Sequence, residues 1–128
     1  YARSLGIEVD SFEDGVPVLC VSGIDAIEGR PGHFHGGATS GLMETAAYAA
    51  LRVALHERGE DAQLKPINIT VQFLAAAKKA PLFARARITK LGRRSANVSV
   101  EAWQEERNRP RASAVMNVMI QRTENASA

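Results

Sequence analysis

The sequence predicts an α+β domain, a curved antiparallel sheet of about six strands wrapped around one long central helix. Three observations carry this. Period-two alternation of apolar residues marks two strands near the start of the chain and four more in its second half. Between them, about residues 37–58, apolar residues recur at spacings of three and four. That middle stretch is apolar or small nearly all round in its first four turns, so it has to be buried on most sides.

Each element follows from its residues. Tyr1 to Leu5 reads as a short helical lead-in stopped by Gly6. Strands are predicted at about 6–12 and 16–23, where Ile7 and Val9, then Val16, Val18 and Cys20, alternate with other residues. Glu13-Asp14-Gly15 lies between them, and Asp-Gly between alternating runs signals a hairpin. Gly29, Pro31 and Gly32 make 24–34 a loop. The helix then carries Leu42, Met43, Ala46, Ala47, Ala50, Val53 and Ala54. Alanine is the best helix former, and it lets a neighbour pack close to the backbone. Gly59 suits the position just past the helix end. Strands follow around Ile67–Phe73, Ala84–Thr89, Ala96–Ala102 and Ala112–Ile120, and the tail from Thr123 to Ala128 is expected to fray.

Composition narrows the function. A chain of 128 residues reads as a single domain, 1–128, with enough length for a hydrophobic core of its own. It opens on Tyr1 rather than Met, so a few further residues are expected ahead of it. The net charge of +2 gives only a weak overall field. Cys20 is the one cysteine and cannot form an internal disulfide, which suits a cytoplasmic protein. No apolar run reaches the roughly 20 residues of a membrane span, and no secretory start is visible. Seven aromatics, of which only Phe83 falls within the basic run, and the lack of a recognisable motif argue against nucleic acid as a partner. His33 and His35 form a His-x-His pair, but no third ligand has a recognisable spacing, so no metal is expected.

The chemistry concentrates at His33-Phe34-His35-Gly36-Gly37-Ala38-Thr39-Ser40-Gly41-Leu42-Met43-Glu44. Glu44 is a lone carboxylate whose neighbours one turn away are Ser40, Gly41, Ala47 and Tyr48. No cation among them explains it as a helical ion pair. A carboxylate in such surroundings is poorly solvated, should resist ionising and becomes a better base once ionised. Gly36 and Gly37 stand where a helix begins, where backbone N–H groups lack intrahelical acceptors and glycine permits close approach. Such groups can hold an oxyanion. Thr39, Ser40 and Thr45 offer hydroxyls that could orient Glu44 or a water. Lys78, Lys79, Arg85, Arg87, Lys90, Arg93 and Arg94 fall within 17 residues that contain no acid, a composition suited to phosphate.

His35-Gly36-Gly37 followed by Leu42-Met43-Glu44-Thr45-Ala46 resembles the motif of hotdog-fold acyl-CoA thioesterases of the phenylacetate-pathway type. The likeness extends over nearly the whole chain, including Ile67 to Leu74 and the Leu91-Gly92-Arg93 turn. It implies that Glu44 is the catalytic carboxylate, as general base or nucleophile, and that the Gly36 N–H polarises the thioester carbonyl. It implies that Gly37 shares the oxyanion site; His35, counted with the catalytic residues, packs structurally or holds the loop by hydrogen bonds. Thr45, Ser40 and Tyr48 would face the substrate, with Phe34 and Leu74 beside the acyl group. Lys78, Lys79, Arg93 and Arg94 would meet the phosphates of coenzyme A, which enters as part of the substrate and not as a cofactor. The active site would lie between subunits of a dimer, or of a dimer of dimers, with loop and acid from different copies. One position departs: many relatives carry Asn or Gln six residues before the motif histidine, and here that residue is Gly29. Glu28, Arg30 and His33 are the nearby polar groups available to replace it. The alternatives are an acyl-thioester hydratase or dehydratase of the same fold, and a non-catalytic acyl-CoA-binding protein.

Overall fold

The computed structural model describes residues 6–22, 36–78 and 80–122. Within them six strands form a single antiparallel sheet: β1 (Ile7–Glu13), β2 (Val16–Val21), β3 (Ala62–Phe73), β4 (Leu82–Leu91), β5 (Ser95–Trp103) and β6 (Ala112–Arg122). The strand order is β1-β2-β4-β5-β6-β3. The helix α1 (Gly36–Glu57) crosses from β2 to β3 and packs on one face of the curved sheet. The lead-in, the 24–34 loop and the tail anticipated above lie outside the described residues.

The β1–β2 hairpin closes as the Asp-Gly dipeptide requires. Asp14 and Gly15 both have positive φ, 51° and 78°, and Glu13 pairs directly with Val16. Two positive φ values in a two-residue loop match the twist of the strands on either side.

The helix buries Leu42, Met43, Ala46, Ala47, Ala50, Leu51 and Leu55 almost completely. The sheet face beneath it is also built of small residues, among them Ala84, Ala86, Ala102, Ala112 and Ala114. Small against small brings the helix close to the sheet, and Val98, Val100, Met116 and Val118 fill the remaining space. Alternate residues of the same strands face away from the helix.

Gly59 ends the helix at φ 68°. The Gly59 N–H donates to the His56 carbonyl and the Glu60 N–H to the Leu55 carbonyl, each at 2.9 Å. This is a Schellman cap. No helix among the described residues is long and apolar enough to cross a membrane.

Strands β3, β4 and β6 run further than the alternation indicates, β4 by two residues at each end. β3 begins at Ala62, five residues before Ile67, and passes through Pro66. Proline cannot donate to a ladder, but β3 is an edge strand paired only with β6, and its register shifts between Pro66 and Asn68. β6 continues to Arg122, opposite Ala62.

Candidate active site

Glu44 sits on α1 just over two turns from its start and is half-buried. It belongs to the one stripe of the helix that the sheet does not cover. Ser40, Glu44 and Tyr48, spaced by four, are all half-buried, and Arg52 and His56 continue the row in the open. Every turn on the opposite side is sealed in the core. The acid is therefore displayed along a partly apolar strip rather than enclosed within one chain.

Its neighbours have separate jobs. The Tyr48 phenol is pushed above its ordinary range, first by burial and then by the Glu44 carboxylate, with Arg52 opposing. Tyr48 thus stays a neutral hydrogen-bond donor beside the acid. The Thr45 hydroxyl donates to the Gly41 carbonyl at 2.7 Å and is occupied by its own helix. That makes Ser40, rather than Thr45, the hydroxyl with freedom to face a ligand. Thr39 is almost fully buried, at 2% exposure, and sits with the core instead of the stripe. Arg52 is anchored by a 2.6 Å bond to the Ala62 carbonyl, bracing the helix against the start of β3.

The glycine end lies apart from the acid. α1 begins at Gly36 and carries no acidic residue in its own first turn. Eight residues separate Gly36 from Glu44, about 12 Å along the axis at 1.5 Å per residue. His35 and the rest of the loop before the helix, including Gly29 and His33, lie outside the described residues, as does Lys79.

The basic run does not converge on one place. β4 separates its ends by about 30 Å at roughly 3.3 Å per residue. Lys78 is exposed just before β4, where the buried Gln104 side chain pins the backbone. The Lys78 N–H donates to Gln104 Oε1 at 2.9 Å, and Gln104 Nε2 donates to the carbonyls of Lys78 and Ala80 at 2.7 and 3.1 Å. Arg85 and Arg87 lie on the sheet face turned away from α1. Arg93 and Arg94 sit in the β4–β5 turn, exposed, on a cleft of about 640 Å³.

That cleft also holds Arg58 from the helix end, Glu60, and Arg122 from the last strand, none singled out by the sequence. Arg122 organises it. Its Nε donates to Glu60 Oε2 at 2.9 Å, and its other nitrogens donate to the carbonyls of Arg93 and, at 3.4 Å, Gly92. Arg58, Arg93 and Arg94 have no carboxylate within ion-pair distance among the described residues. The signal that could have found them is only that basic residues flank both the helix end and the strand end.

Comparison with known families decides the lineage. The Thioesterase superfamily profile matches residues 31–110, well over half of the chain and including the glycine pair and Glu44. The chain belongs to the thioesterase superfamily.

Solved structures agree with the fold of this thioesterase-superfamily chain. A thioesterase from Haemophilus influenzae superposes with a TM-score of 0.85 at 20% identity, covering 99% of this chain and 86% of its own. A phenylacetic acid degradation-related protein from Ralstonia eutropha JMP134 gives 0.78 at 22% identity, covering 92% and 87%. A thioesterase enzyme from Staphylococcus aureus, solved with a glutamine replaced by alanine, gives 0.79 at 20% identity, covering 94% and 97%. The same S. aureus protein was also solved with a glutamate replaced by alanine. A search of curated protein sequences finds no match. One helix against a curved six-stranded antiparallel sheet is the hotdog fold, and this thioesterase-superfamily chain has it.

Proposed function

We propose that the protein is an acyl-CoA thioesterase that works as a homodimer or a dimer of dimers. Water adds to the acyl carbonyl, the carbon–sulfur bond breaks, and coenzyme A leaves as the thiol. Glu44 acts either as general base, taking the proton of water and returning it to the sulfur, or as nucleophile through an anhydride that water then opens. The Gly36 and Gly37 amides hold the oxyanion, with His35 in the same loop.

The observation that carries this reading is the separation of acid from amides. One carbonyl must lie within about 3 Å of its oxyanion donors and beside the attacking group. A span of about 12 Å along one helix prevents Gly36 and Glu44 of the same chain from meeting it. Two copies related by a two-fold axis remove the difficulty, each acid facing the other's glycine end.

The surface supports a second copy. β3 is an open edge strand exposed along nearly its whole length. Its Ile69 and Phe73 pair with the buried Met116 and Ala112, so they share the helix-side face, yet they are 36% and 59% exposed. Leu74 adjoins them at 55%. A partner would cover this apolar strip and could complete an acyl pocket with Tyr48 and Ser40.

The Arg58–Arg93–Arg94–Arg122 cleft supports a coenzyme A ester as substrate. Arg58 lies 14 residues beyond Glu44, about 21 Å along the helix direction, a reach matched to the pantetheine arm between thioester and phosphates. Lys78, before the other end of β4, stands apart from this cleft and is not one of its cations. The replaced glutamine and glutamate of the S. aureus protein are 15 residues apart, which is the interval between Gly29 and Glu44 here. This supports Glu44 as the working acid and Gly29 as a position whose usual amide another group must replace. The lone Cys20 supports a cytoplasmic setting.

The test is thiol release across acyl-CoAs of varied length and aromaticity. Glu44→Gln and Glu44→Ala are expected to lower turnover by at least ~10²-fold. Full activity in either variant would reject the assignment. Tight acyl-CoA binding without turnover in the wild type would make the protein a binder instead.

A further inference from the structure

The sheet face turned away from α1 holds a second group of cations that the proposed reaction does not use. Arg85 and Arg87 of β4, Ser99 and Glu101 of β5, and Ser113 of β6, together with Arg107, line a hollow of about 530 Å³. Register places them side by side, since Arg85 pairs with Glu101, Arg87 with Ser99, and Glu101 with Ser113.

The guanidinium groups are short of acids. Glu13 serves two of them at once. Arg85 Nη2 donates to the Glu13 carbonyl at 3.0 Å, while its Nε stands 3.6 Å from the carboxylate. Arg107 donates to the same carboxylate. That hydrogen bond first, and the two positive charges, hold the Glu13 carboxyl below its usual range against the opposing effect of burial. Arg85 Nε is buried and has no hydrogen-bond acceptor. Arg87 is exposed and pairs with no carboxylate among the described residues. Three cations thus line one hollow with a single acid, Glu101, while Glu13 pairs with Arg85 and Arg107 from outside the lining.

We infer that this hollow is an anion site that takes a phosphate group, distinct from the arginine cleft at the β4–β5 turn. Arginine forks and serine hydroxyls suit a tetrahedral oxyanion with several acceptors. Arg85 is already oriented by Glu13, and Arg107 is held over the Trp103 ring at 4.5 Å, so two of the three donors are ordered before a ligand arrives. The same packing excludes a stacked base. Trp103 carries Arg107 and stacks with Phe83 at 6.0 Å, leaving it only 9% exposed. The preferred ligand is therefore a compact phosphate, free or on a small molecule, and not a nucleobase.

The test is titration calorimetry of the intact protein with inorganic phosphate, pyrophosphate and ADP, at matched ionic strength against chloride. A saturable component is expected that Arg87→Ala weakens at least about tenfold and Arg93→Ala leaves in place. Phosphate equal to or tighter than ADP would show that the group itself is recognised. Thermal melts in phosphate-free buffer check that the variants are folded, and Arg87→Gln repeats the test with a longer neutral side chain. No saturable component, or one that Arg93→Ala removes and Arg87→Ala does not, overturns the inference. So does a change of molecular mass on Arg87→Glu with no phosphate binding in the wild type, which would make the face a contact between copies.

Discussion

Tyr48 stands one helical turn beyond Glu44, on the only stripe of α1 that the sheet leaves uncovered. Burial, reinforced by the Glu44 charge, raises the Tyr48 phenol, and burial followed by Asp10 and Glu8 raises the Cys20 thiol. Both groups are therefore favoured in their neutral, protonated forms by folding. The stability this confers is present below the unfolded-state values and is lost as pH rises through the folded ones. Melting temperature should accordingly fall from about pH 9 to 11, around the ordinary thiol and phenol ranges. Tyr48→Phe should flatten the upper part of that fall and Cys20→Ser the lower part. Identical alkaline melting profiles for wild type and Tyr48→Phe would contradict the account.

Arg122 closes the turn at the far end of β4 through its bonds to Glu60, Gly92 and Arg93. The Arg122 and Glu60 side chains are 29% and 33% exposed, so solvent screening reduces the value of the pair. Arg122→Ala should cost about 1–2 kcal/mol in chemical denaturation. It should also raise KM for a coenzyme A ester more than it lowers kcat, because Arg93 and Arg94 lose their support. An unchanged KM in a folded variant would separate the cleft from substrate binding.

The helix-side face of β3 should be covered in solution. Ile69→Lys and Phe73→Glu place charges on that strip without touching the sealed core. Light scattering should show a smaller assembly, with secondary structure retained and thiol release lost together with the contact. A variant that keeps its mass and activity would show that β3 is a free edge.

Gly59 ends α1 in the left-handed region, with nothing within 4 Å of where a Cβ would stand. The cost of Gly59→Ala is thus conformational rather than steric against neighbours, about 1–2 kcal/mol. Thermal or urea unfolding measures it. A neutral substitution would mean that the cap relaxes to another geometry.

Local rules made much of the architecture legible. The Asp14-Gly15 hairpin and the Gly59 cap follow from which residues tolerate positive φ. The helix is legible because its apolar residues repeat at 3.6, and its burial because they leave almost no polar side. Glu44 stood out as an acid with no local partner. The first half of β3 was hidden by Pro66, whose tolerance depends on lying at a sheet edge. The cations misled by adjacency. Residues 78–94 are close in sequence, but a strand extends them over about 30 Å and turns alternate residues to opposite faces.

Sequence alone therefore determined the elements, their order, the sheet-wrapped helix and the acid worth watching. These depend on period, turn chemistry and composition, all properties of neighbours along the chain. Only the tertiary structure joined Arg58, Glu60, Arg93 and Arg122 into one cleft and set Arg85, Arg87 and Arg107 around another. It alone showed which side of the helix stays open beside Glu44. Those arrangements come from strand register and from the docking of the helix on the sheet, and residues far apart in the chain meet only after both are in place.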